Sequence, residues 1–156
     1  NYNPESEVMQ QVLKEQIMLL PAVAPETGLF KGRKLKWLNA PPNLCNKKRE
    51  VALSFYLALM TAHCLELISH QGAITLEGPF SKKRAFCEML CHAADSRVFV
   101  SEGSTGISQG AALLFYAEGA DRMGQKLKIS SKLDHTSCLN YLMAWKEANL
   151  NNATAI

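Results

Sequence analysis

Three cations stand side by side at Lys82, Lys83 and Arg84, directly after the run "EGPFS" at 77–81. A β-prone "AITL" precedes the run, and the "AFCEMLCHAA" that follows repeats apolar residues at helical spacing. The cluster is therefore expected in the first turn of a helix, where unpaired N–H groups make the end positive and cations are disfavoured. Two readings accommodate it. Either the side chains splay into solvent, or an anion docks on them and on the helix end. Gly78 fits the second, because a residue without Cβ lets a planar group approach the backbone just beyond a strand.

Other reactive residue types give weaker signals. Thr105 and Gly106 follow a second β-prone run, "RVFVS" at 97–101, and either cap the next helix or meet a ligand beside it. Cys87 and Cys91 lie one helical turn apart with His92 adjacent, but no second ligand pair has matching spacing, so they read as core thiols and no metal site is assigned. His63, beside Cys64 in an apolar segment, reads as a hydrogen-bonded core residue. Trp37 and Trp145 read as packing groups. No nucleophile–base pair can be assembled from the Ser, Cys and His residues, so no catalytic residue is assigned.

The elements that would position these residues follow from periodicity. "ESEVMQQVLKEQIMLL" predicts a helix capped by Ser6 and stopped by Pro21. Residues 21–49 hold four of the six prolines, and "GLFKGRKLKWL" predicts a hairpin turning at Gly32-Arg33. "REVALSFYLALMTAHCLELISH" predicts the longest helix, apolar nearly all round and hence largely buried, ended by Gly72. A strand over 73–77, a helix over 81–93, a strand over 97–101 and a helix over 105–120 come next. A polar connection then leads to a last helix over 136–148. Helix–strand–helix–strand–helix with short links predicts an α/β unit with parallel neighbours. In such sheets ligands lie beyond the carboxyl ends of the strands, where the loops 77–81 and 101–105 fall.

Bulk properties set the bounds. The chain has 156 residues, 47% of them hydrophobic and 20% charged, which is one globular domain's worth. A net charge of +3 permits anionic ligands without arguing for nucleic acid. No apolar run approaches the ~20 residues needed to span a bilayer, and the polar, acidic start is not expected to be a signal peptide. Five cysteines at irregular spacing predict reduced thiols and a cytoplasmic protein. A first residue that is not Met predicts a piece of a longer chain or a processed one.

The stretches "YLALMTAHCLELI", "GAITLEGPFSKKRAFCEML" and "RVFVSEGSTGISQGAALL", in that order, resemble the C-terminal domain of the FGGY carbohydrate kinases. These are two-domain sugar kinases of the actin and hexokinase-like ATPase superfamily. The likeness covers about residues 48–120 and is weaker over the N-terminal helix and hairpin.

The resemblance implies a partial ribonuclease H-like, actin-like ATPase domain, its parallel strands flanked by helices. An N-terminal helix and loop segment (1–47) would precede the α/β domain (48–150), and a frayed tail (151–156) would follow. It implies nucleotide binding by Glu77, Gly78, Pro79, Phe80, Lys83, Thr105 and Gly106, with Gly110, Ala111 and Ala112 on a helix lying close to the sheet. Lys83 departs from the Asn or Ser of relatives, so a cation here would either meet nucleotide phosphate oxygens or mark a drift in nucleotide specificity. The family's catalytic Asp lies upstream of anything present, as do most sugar contacts. The implied role is the adenosine side of an ATP-dependent kinase, with magnesium in the complete enzyme and the sugar bound through the missing N-terminal region. The chain alone is not expected to phosphorylate anything. No membrane partner is expected. The incomplete sheet would be covered by another segment or by a second copy in a homodimer. The alternative is a non-catalytic module whose basic patches at 31–34, 47–49 and 82–84 bind an acidic partner or nucleic acid.

Overall fold

The computed structural model describes residues 4–101 and 126–152, with Ala111 between them. Its elements are α1 (Pro4–Glu15), β1 (Met18–Leu20), β2 (Lys36–Leu38), α2 (Asn46–Leu67), β3 (Ile74–Leu76), α3 (Arg84–Ala93), β4 (Val98–Ser101), β5 (Lys126–Lys128) and α4 (His135–Asn151). A short 3-10 turn, Pro79–Lys82, precedes α3. β1 and β2 pair antiparallel, with Leu19 opposite Trp37. β4 is the middle strand of a second sheet, parallel to β3 and antiparallel to β5. The expected parallel α/β pair is therefore present as β3 and β4, with α3 crossing between them.

Several boundaries differ from expectation for local reasons. α1 begins at Pro4, which has no N–H to leave unsatisfied, so Ser6 lies inside the first turn and does not cap it. The helix stops at Glu15, well before Pro21. Gln16 turns left-handed (φ 51°), Gln16 N–H donates to the Leu13 carbonyl and Ile17 N–H donates to that of Val12. That is a Schellman termination. The apolar run after it is a strand, and β1 is the partner of β2. Gly32 (φ 85°) instead closes a loop, its N–H 2.7 Å from the Pro25 carbonyl. α2 ends in the same way as α1, at left-handed Ser69 and not at Gly72, with His70 N–H on the Leu65 carbonyl. β5 lies within the connection that reads as merely polar. The expected helix 105–120 lies outside the described residues apart from helical Ala111, and of the tail, 153–156 do too.

By length and composition α2 could cross a bilayer. Here Val51, Ala52, Phe55, Ala58 and Leu59 are buried, and the helix packs against α1, α3 and β1. The core they enter runs from Met9 of α1 through β1 to Met89 and Leu90 of α3. α4 closes it. Tyr141 stacks edge-on to Phe55 and donates its hydroxyl to the Ile17 carbonyl (2.6 Å), while Trp145 Nε1 donates to that of Leu19 (2.9 Å). β1 is thus fixed from one side by β2 and from the other by two buried aromatic hydrogen bonds. These position the frame on which the 77–84 loop is built.

Candidate functional site

The β3–α3 loop begins at exposed Glu77 and half-buried Gly78. Gly78 has φ 81° and ψ −166°, a conformation that side-chain-bearing residues rarely adopt. A Cβ built there would meet nothing within 4 Å, so the backbone dihedral calls for glycine, and the face beyond it is open. Pro79 starts the 3-10 turn, whose carbonyl at Gly78 accepts from both the amide (3.2 Å) and the hydroxyl (2.7 Å) of Ser81. Phe80 rests against Phe86, with ring centroids 5.6 Å apart, yet stays half exposed. Lys83 N–H returns to the Phe80 carbonyl (3.0 Å), and the chain enters α3 at Arg84. Lys83 is the N-cap residue, and its side chain makes no capping bond.

The cation cluster is therefore split between three positions and not gathered in one helical turn. Lys82 ends the 3-10 turn and is exposed. Lys83 Nζ reaches across to Glu50 Oε1 of α2 (2.6 Å), and each charge favours the ionised form of the other: hydrogen bonding, then Coulomb attraction, lowers the Glu50 pKa and raises that of Lys83. Both side chains are more than half exposed, so the pair is screened. Arg84 turns inward, with Nε on Glu88 Oε1 (2.5 Å). Glu88 is buried in α3, and its other oxygen accepts from Ser131 Oγ (3.0 Å) and Lys132 N–H (2.8 Å). Arg84 is thus a structural cation at the entrance of α3, which neither sequence reading anticipated. Its helical i,i+4 spacing to Glu88 was the available signal.

A cleft of about 630 Å³ opens beside this loop, within the range of small-molecule sites. Its walls come from α1 (Glu5, Gln11), the first turns of α2 (Lys47, Glu50) and Lys82–Ala85. Of the seven expected nucleotide residues, Lys83 lines the cleft, while Glu77, Gly78, Pro79 and Phe80 form the loop leading to it. Thr105 and Gly106 lie outside the described residues. Register places Lys126 opposite Ser101, so β5 enters at the carboxyl edge from which the β3 loop leaves.

Remaining expectations divide. Cys87 is buried with its thiol near the Phe80 and Ser81 carbonyls (3.6 and 3.4 Å), and burial pushes its pKa up to about 11, the behaviour of a core thiol. Cys91 is half buried. Trp145 packs as expected. His63 is not a core residue: it is partly exposed, with its ring 5.6 Å from Phe30 and Nδ1 3.8 Å from Glu66. The basic patches are each partly engaged within the chain. Arg33 donates to the Asn149 carbonyl (2.8 Å) and Lys48 pairs with Glu15 (2.6 Å), as Lys83 and Arg84 do with their own carboxylates.

Similarity to solved structures gives the fold. A carbohydrate kinase from Novosphingobium aromaticivorans superposes with a TM-score of 0.82 at 24% identity, over 97% of this chain and 31% of that one. The fold is that of the actin-like ATPases, and the chain spans about a third of that relative's length. No curated protein matches. Residues 1–124 match the family model of the carbohydrate kinase FGGY C-terminal domain, and the chain belongs to that family.

Proposed function

We propose that the chain supplies the adenosine-binding side of a sugar kinase that transfers the ATP γ-phosphate to a carbohydrate hydroxyl. The observation that carries this reading is the glycine at φ 81° just past the end of β3, open to solvent and followed by the N-terminus of α3 with Lys83 at its cap. The first N–H groups of α3, those of Arg84, Ala85 and Phe86, have no intrahelical acceptor and suit a ligand oxygen. Phe80 offers an exposed ring to a base, and Lys83 an exposed ammonium to a phosphate. The catalytic base and the sugar contacts belong to the other part of a parent enzyme that the reading places in the cytoplasm. Alone, the chain binds nucleotide and transfers nothing. Magnesium would arrive with ATP. Among the described residues no cluster of three His, Cys, Asp or Glu could hold it, so no step is assigned to the ion through this chain.

In the free protein Lys83 is held by Glu50, so phosphate must compete with a carboxylate for it. This gives substitutions of opposite sign. Lys83→Asn is expected to weaken ADP binding about tenfold, the scale of one charge-assisted hydrogen bond, while leaving adenosine binding little changed. Glu50→Gln is expected to strengthen ADP binding, because it frees Lys83 and removes a negative charge from the cleft wall. Calorimetry with ADP and adenosine checks both, and an ADP affinity indifferent to either substitution would refute the role given to Lys83.

A further inference from the structure

The buried Glu88 anchors a chain of polar groups that the nucleotide site does not use. Ser131 Oγ donates to Glu88 Oε2 (3.0 Å), accepts from Leu133 N–H (3.1 Å) and lies 2.9 Å from His92 Nε2. With its single proton directed at the carboxylate, Ser131 can only accept from the imidazole. His92 therefore carries its proton on Nε2, and its Nδ1 is bare. His135 Nδ1 lies 3.0 Å from that bare nitrogen and must donate to it. The tautomer of each ring in the neutral pair follows from the anchor.

The pair joins elements distant in sequence. His92 sits in the last turn of α3, and His135 is the first residue of α4, directly after the capping Asp134, whose carboxylate accepts from Ser137 N–H (2.8 Å). One added proton is tolerated, because exposed His135 can take it on Nε2 without disturbing the hydrogen bond. A second is not, because with both rings cationic each Nδ1 carries a hydrogen and two donors are set against each other at 3.0 Å.

We propose that His92 and His135 form a proton-sensitive latch, which holds the C-terminal turn of α3 on the first turn of α4 and opens when both rings are protonated.

Among the described residues, the titratable or charged groups facing the pair are Glu88 of α3, Asp134 before α4, and the two imidazoles themselves. Cys91 of α3, Lys128 of β5 and Cys138 of α4 belong to the same interface. Burial, then the neighbouring His135, holds His92 below the ordinary histidine value of 6.5, with Glu88 and Asp134 pulling weakly the other way. For a histidine whose folded pKa is lowered, the unfolded chain binds the proton more readily. The latch's contribution is thus complete above the ordinary value and is lost as pH falls below it.

Nitrogen-15 NMR of the whole chain tests this directly. The expected result is a His92 ring in the Nε2–H form with a titration midpoint below 6.5. Melting temperatures at about pH 7.5 and about pH 5.5 provide the other readout. His92→Gln, which can still donate to Ser131 but cannot titrate, is expected to abolish at least half of the wild-type loss between the two. A His92 midpoint at or above 6.5, an Nδ1–H tautomer, or an undiminished pH effect in His92→Gln would each overturn the proposal.

Discussion

Trp145→Ala is expected to destabilise the chain by about 3–5 kcal/mol, a large part of the stability of a domain this size. The indole is 2% exposed, packs edge-on to Phe30 and donates to the Leu19 carbonyl of β1. Truncation opens a cavity where α4, α2 and β1 meet and leaves that buried carbonyl without its donor. Trp145→Phe separates the two contributions, since it keeps most of the ring volume and loses the N–H. It should lose only the smaller share, about 1–3 kcal/mol. Urea unfolding of both variants checks the order. Equal losses would mean that the hydrogen bond, not the volume, holds α4 to the sheet.

Removing the Glu88 carboxylate should be nearly as damaging. The side chain is 3% exposed and receives Arg84, Ser131 and Lys132 N–H together. Glu88→Ala would leave a largely buried guanidinium and two further donors without an acceptor, and losing one partner of a buried pair costs about 3–5 kcal/mol. Because a quarter of the Arg84 side chain reaches solvent, the lower end is expected. In a domain of this length that corresponds to a fall in melting temperature of about 6–12 °C. Glu88→Gln keeps an acceptor for Ser131 and Lys132 and should fall by less. A Glu88→Ala variant melting within a degree or two of wild type would show that the carboxylate does not organise this junction.

The longer helices were legible in the sequence. α3 shows a clear apolar stripe, α2 and α4 are long apolar-rich runs without Gly or Pro, and the short apolar runs at β3 and β4 are bracketed by loops. β1 was not legible, because Ile17–Leu20 is apolar at every position and such a run fits a helix as well as a buried strand. What decides it is the left-handed Gln16 and the distant partner β2, and neither is local. β5 is three residues long and shows only one apolar position between two lysines. At the site, Gly78 could be read from its place after a strand. The partners of the cations could not. Glu50 lies 33 residues before Lys83, and Glu88 reads as a solvent-facing charge until tertiary packing buries it. His92 and His135, 43 residues apart, have no spacing signal at all.

The central claim, that the β3–α3 loop binds the adenosine phosphate of a nucleotide, is most directly tested by titrating the isotopically labelled chain with ADP and following its amide resonances. The account predicts saturable shifts that are largest at Gly78–Lys83 and at the first turn of α3, reproduced by ATP and reduced for inorganic phosphate. Saturable shifts confined to other surfaces, or none at these amides at millimolar ADP, would contradict it.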